Sequence, residues 1–151
     1  MPIWVDADAM PRECKQILIR AANRRGVDVT MVANRPVDVG RGQRVCSIQV
    51  GQGADVADDY IVEHALPTDL VITADIPLAA RIVENGGLVL QPRGRILDAE
   101  NVEEILSIRD FKEDLRSGGV MTGGPPPFDA GAKQRFANAL DRWITSSQNA
   151  R

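Results

Sequence analysis

The chain has 151 residues, enough to bury a core without disulfide or metal staples. Its 44% hydrophobic and 26% charged residues are ordinary for one globular domain, and a net charge of −3 argues against a global basic field, though not against a local basic patch. Cys14 and Cys46 lack metal-site spacing, no signal-peptide pattern opens the chain, and no apolar run approaches membrane length, so the expectation is a reduced cytosolic protein with no membrane contact.

Ile3-Trp4-Val5 has the composition of a buried strand, and it runs straight into Asp6 and Asp8. Pro11 then opens a helix whose core face is Cys14, Ile17, Leu18 and Ala21, with Arg12, Gln16, Arg20 and Arg24 on another stripe. Gly26 closes it. Val27 to Ala33 reads as a second strand, stopped by Asn34-Arg35-Pro36, and residues 35–44 read as an exposed loop. Val45 to Val50 is a third strand, nearer an edge. A helix over about Ala54 to Ala65 carries Ala57, Tyr60, Ile61 and His64 on its apolar side and ends before Pro67.

Leu70-Val71-Ile72-Thr73 reads as a central strand ending in Asp75. Ile76-Pro77 opens another helix, which closes at Gly86-Gly87. Leu88-Val89-Leu90 is a fifth strand, followed by Gln91-Pro92-Arg93-Gly94-Arg95. Asn101 and Glu104 suggest a capping box for a helix to about Arg116. Gly123-Gly124-Pro125-Pro126-Pro127 reads as a loop or hinge. Asp129 can cap a last helix with Phe136, Ala137, Leu140, Trp143 and Ile144 inward, fraying from Thr145.

Alternating strands and helices predict an α/β fold over residues 1–151. Its three layers are a mostly parallel central sheet of about five strands with helices on both faces, and a C-terminal helical segment covers about 99–147. Right-handed crossovers then bring the strand ends Asp6, Asn34 and Asp75 to one sheet edge.

Asp8 reads equally as a helix cap or a ligand, and so does Asp75. Asp6 lies in the strand register, where capping does not explain it and a buried unpaired carboxylate is costly. Asp55, Asp58 and Asp59 suit a helix start by favourable interaction with its dipole. Asp55 and Asp59 also share a face and repel slightly, a cost that a cation between them and the strand-end acids would remove. Together Asp6, Asp55, Asp59 and Asp75 form a candidate set for a hard cation, Mg²⁺ or Mn²⁺, and such ions suit phosphate-ester hydrolysis. Asn34, Arg35, Arg41, Arg44, Arg93 and Arg95 follow strands, where they would contact phosphates without reading sequence. The single histidine, His64, has helical spacing with apolar residues and reads as packing. No Walker-type or dinucleotide fingerprint occurs.

Several stretches together resemble the bacterial YaiI/YqxD family. They are Val5-Asp6-Ala7-Asp8-Ala9, Val32-Ala33-Asn34, Gly53-Ala54-Asp55 with Ala57-Asp58-Asp59, Ile72-Thr73-Ala74-Asp75-Ile76-Pro77-Leu78-Ala79, Pro92-Arg93-Gly94, Arg109-Asp110 and Gly124-Pro125-Pro126-Pro127-Phe128. The resemblance spans nearly the whole chain. It implies a fold similar to PIN-like nucleases, which hold Mg²⁺ or Mn²⁺ with clustered acids and cut RNA or DNA. On that likeness Asp6, Asp8 and Asp75 match the strand-end catalytic acids, and Asp59 or Asp55 matches the acid on the intervening helix. The same likeness leads us to expect Cys before Pro11, where this chain has Met10, which argues against an essential thiol there.

The leading expectation is a metal-dependent nuclease whose partner is nucleic acid, RNA ahead of DNA. Two alternatives stand beside it. One is a haloacid-dehalogenase-type phosphatase with Asp6 as nucleophile, for which Ala9 fits poorly and the later Lys and paired acids cannot be placed in order. The other is a non-catalytic module that binds metal or nucleic acid.

Overall fold

The computed structural model describes residues 2–8, 10–40, 42–53, 55–108 and 128–149. The helix end expected near Arg116, the Gly-Pro loop at 123–127, Arg109-Asp110 and Arg41 lie outside the described residues. In chain order the elements are β1 (Ile3–Asp6), α1 (Arg12–Arg25), β2 (Val29–Ala33), β3 (Val45–Gln49), α2 (Val56–His64), β4 (Leu70–Ile72), α3 (Ile76–Glu84), β5 (Leu88–Leu90) and β6 (Ile96–Leu97). A helix α4, described over 102–108, and α5 (Ala130–Asn149) complete the series.

One sheet of six strands runs in the order β3-β2-β1-β4-β5-β6, all parallel except the β5–β6 pair. The order reverses beside β1, where the chain leaves β2 and β3 on one side and places β4 on the other. In open α/β sheets such a point opens a crevice at the carboxyl ends of the strands.

Strand alternation assigns the two faces. Ile3, Val5, Leu70 and Ile72 point into a cluster with Leu18 of α1 and with Phe136, Leu140 and Ile144 of α5. Val71, Val89 and half-buried Trp4 point the other way, toward Ile61 of α2, Leu78 and Ile82 of α3, and Val102 and Ile105 of α4. Three layers result. Asp6 follows Trp4 by two residues, so it emerges on the α2 and α3 side.

Trp4 is fixed in that second layer. Its indole N–H donates to the carboxylate of Asp69 at 3.0 Å, and that same oxygen accepts the Leu66 backbone N–H at 2.9 Å. Tyr60 lies 6.3 Å from the Trp4 ring and stacks on His64 at 4.0 Å. His64 itself is exposed, its ring nitrogen 2.8 Å from the Tyr60 carbonyl one helical turn back.

The structure corrects several expectations. The sheet has six strands because Gln91 to Arg95 is a hairpin turn. The Gln91 N–H bonds the Arg95 carbonyl at 2.9 Å, and Gly94 adopts φ +92°, returning Ile96 and Leu97 beside β5. Val27 belongs to the turn after α1, its N–H bonded to the Ala22 carbonyl, so β2 starts at Val29. The cap before α4 is Asp98, which accepts the Asn101 N–H, while the Asn101 side chain accepts the Asp98 N–H in return. α5 continues past Thr145 to Asn149 because the end of α1 tethers it. Arg25 bonds Asp141 and Thr145, and Gln148 donates to the Arg25 carbonyl at 2.7 Å. Arg44 pairs with Asp28 at 3.3 Å at the amino end of the sheet, opposite the edge where the strand-end acids sit.

Candidate functional site

The crevice is built from four segments. Asp6 ends β1. Two residues beyond the Trp4–Val71 pairing on the neighbouring strand comes Thr73, on the same face as Asp6. Its hydroxyl, fully buried, donates to Asp6 Oδ2 at 2.8 Å and accepts the Asp75 N–H at 3.0 Å. One threonine therefore fixes an acid on β1 against the backbone after β4. Asp75 Oδ1 in turn caps α3 by accepting the Leu78 N–H at 3.0 Å.

The acid that α2 contributes is Asp58. It stands one helical turn before Ile61, which is fully buried against the sheet, so it shares the inward face. Burial first, then the charges of Asp75, Asp6 and Asp55, push its carboxyl from 3.8 up to about 6, with Arg81 opposing. Asp6 is raised as well. Burial is the main cause, the Thr73 hydrogen bond opposes it, and the charges of Asp75 and Asp8 add to it. Asp59 turns aside to α3, where Arg81 pairs with it at 2.8 Å. Asp55 is exposed at the start of α2 and makes no side-chain cap.

Asp8 is not a cap for α1. The residue before that helix is Pro11, with no side-chain hydrogen bond, and Asp8 Oδ2 accepts instead from the Asn34 N–H at 3.0 Å. Asp8 Oδ1 is shielded from solvent and accepts no hydrogen bond among the described residues. Arg35 Nε stands 3.8 Å from it. The Asn34 carbonyl accepts from the Gln52 side chain at 3.0 Å, so Asn34 bridges Asp8 and the turn before α2. Arg93 and Arg95 lie in the β5–β6 turn at the same sheet edge, and neither makes an ion pair with the acids among the described residues.

Asp6, Asp58 and Asp75 thus come together from three elements, with Asp8 close enough to raise Asp6. In the sequence Asp58 was weighed beside Asp55 and Asp59 but left out of the candidate metal set, and Thr73 was not a candidate at all. Asp58 lay open in the spacing to Ile61, whereas a strand-end Thr carries no local signal. Among the described residues no three His, Cys, Asp or Glu side chains already stand close enough to hold one ion.

The raised Asp58 has a consequence for stability. The folded state holds this proton to about pH 6 and the unfolded state only to about 3.8, so folded chains bind more protons between them. Stability from this group is complete below about pH 4 and is lost as pH rises through 6. Two units would be worth nearly 3 kcal/mol in full. Asp58 is only half-buried, and water screening leaves under about 1 kcal/mol. In EDTA near pH 7.5, Asp58→Asn should melt about 2–4 °C above the wild type, with the gain vanishing near pH 4. A scanning-fluorimetry series that finds the variant less stable at both pH values contradicts the crowding of these acids.

Fold and site define an α/β protein with an acidic crevice at the topological switch point of its sheet. The family described as "Uncharacterized BCR, YaiI/YqxD family" matches residues 4–146, and the chain belongs to that family. A "UPF0178 protein" of Saccharophagus degradans is 57% identical over 145 residues, covering 96% of each chain. One from Shewanella sp. strain ANA-3 is 53% identical over 142 residues, covering 94% of this chain and 95% of the relative. One from Geobacter metallireducens is 54% identical over 145 residues, covering 96% and 94%. No solved structure matches. Among the described residues no helix is long and apolar enough to cross a membrane.

Proposed function

We propose that this protein is a divalent-metal-dependent nuclease that hydrolyses phosphodiester bonds in the crevice at the ends of β1 and β4. The observation that carries the reading is the meeting of Asp6, Asp58 and Asp75. Burial and mutual repulsion raise the carboxyls of the first two above the ordinary aspartate range. The donor set fits a hard ion. It is all carboxylate, and Asp8 Oδ1 accepts no hydrogen bond among the described residues. Side-chain rotation would bring Asp6, Asp58 and Asp75 onto Mg²⁺ or Mn²⁺.

Bound there, the ion would polarise a phosphoryl oxygen and ease ionisation of a water. Thr73 keeps Asp6 aimed into the crevice through its 2.8 Å bond. Asp8, held by the Asn34 N–H, orients the attacking water toward phosphorus. The water oxygen forms the new P–O bond as it gives up a proton to solvent, the bond to the leaving sugar oxygen breaks, and that oxygen takes up a proton from solvent. Asn34 and Arg35, placed by Asp8 at the end of β2, hold the flanking strand. Two free cysteines, one buried in α1 and one exposed on β3, agree with a cytoplasmic setting.

The test is cleavage of mixed labelled RNA and DNA substrates in Mn²⁺ or Mg²⁺. Activity should appear with metal, vanish in EDTA and return when Mn²⁺ is added back. RNA or DNA binding without turnover under any divalent metal would replace the nuclease reading with a binding module.

A further inference from the structure

A second feature opens beside the acids, on the α1 side of the sheet. A groove of about 650 Å³ runs between the first turns of α1 and the loop after β2, within the ~300–1,000 Å³ range of ligand sites. Arg12, Lys15 and Arg35 line it, with Gln16 beside them and Asp38 as the one acid. Asp38 Oδ1 is engaged by the Gly40 N–H at 3.0 Å. Arg12 and Lys15 sit three residues apart on one helix face, and neither makes an ion pair among the described residues. The start of α1 adds its own partial positive charge. No aromatic ring lines the groove, so it offers no aromatic platform for a base. Its inner end is Arg35, whose Nε lies 3.8 Å from Asp8, at the border of the acid crevice.

We infer that this groove holds the phosphodiester backbone of a single-stranded nucleic acid and leads it past Arg35 to the acids. Arg12 and Lys15 each neutralise a phosphate, and Gln16 donates to a phosphate or sugar oxygen. Contacts of this kind position a strand without reading its sequence. The inference deepens the nuclease reading and rests on it for the direction of the strand, but binding itself needs no metal.

The test is fluorescence anisotropy of labelled twelve-nucleotide RNA and DNA in EDTA, across a NaCl series. Wild-type protein should bind both, with affinity falling as salt rises. Arg12→Ala/Lys15→Ala should weaken binding about tenfold at low salt and flatten the log–log salt slope by about 1.4, at ~0.7 per lost phosphate contact. Arg20→Ala/Arg24→Ala is the charge-matched control. These arginines line a separate cleft between α1 and α5, so binding should stay within about twofold of wild type. Circular dichroism checks that each variant folds. Equal loss in both double variants, no loss in the first, or no wild-type binding would overturn the groove. So would full displacement by inorganic phosphate at matched phosphate concentration, which would mark a site for free anion. Binding in EDTA without cleavage in Mn²⁺ removes the nuclease and keeps the groove. Cleavage with groove-independent binding does the reverse.

Discussion

Asp6→Asn should lower Mn²⁺-dependent cleavage about a thousandfold or more while leaving the protein folded. Charge stabilisation by a bound ion is worth several kcal/mol in the transition state. Removing the carboxylate that anchors it forfeits most of that, at about 1.4 kcal/mol per factor of ten. Asn keeps the shape and an oxygen that can still accept from Thr73, so the 2.8 Å bond and the strand ends survive. Burial and neighbouring acids already make ionised Asp6 costly, so the variant should melt no lower than wild type in EDTA. Gel assays with matched melting curves decide the matter. Wild-type cleavage rates in Asp6→Asn would remove Asp6 from the chemistry.

Phe136→Ala should destabilise the protein by about 3–5 kcal/mol. Phe136 is fully buried on α5, in the cluster with Ile3, Val5 and Leu18. It is among the largest fully buried side chains. Truncation removes a ring from a closely packed layer, and neighbours on three elements cannot all move in to fill it. Against a typical total of about 5–15 kcal/mol, this is a large fraction. The melting temperature should fall by roughly 10 °C or more. A loss under about 1 kcal/mol in urea would mean that α5 does not seal this face of the sheet.

Much of the scaffold was legible because its signals are local. Ile3-Trp4-Val5 and Leu70-Val71-Ile72 are apolar runs followed by acids, and both form central strands of the sheet. Gly26 at φ +68° and Pro77 in the first turn of α3 mark helix boundaries by backbone geometry alone. β6 was not legible, since two residues have no periodicity, and the turn that makes it depends on pairing with β5. The site followed the same division. A strand-end acid announces itself, but whether Asp58 or Asp59 faces inward is a question of one residue, about 100° around a helix. The dipole accounts equally well for both, and the answer lies in Arg81, twenty-two residues away, which draws Asp59 off. Asp8 was open to a local explanation as a cap, and its partner Asn34 lies just past the end of another strand. Long-range pairs of this kind are what a single chain of letters does not display.

The Trp4 arrangement gives the crevice an optical property. The indole is tied to Asp69, lies against Tyr60 of α2, and shares a strand face with Asp6 two residues on. Trp4 is thus a native fluorophore on the strand face that carries Asp6, packed against the helix that carries Asp58.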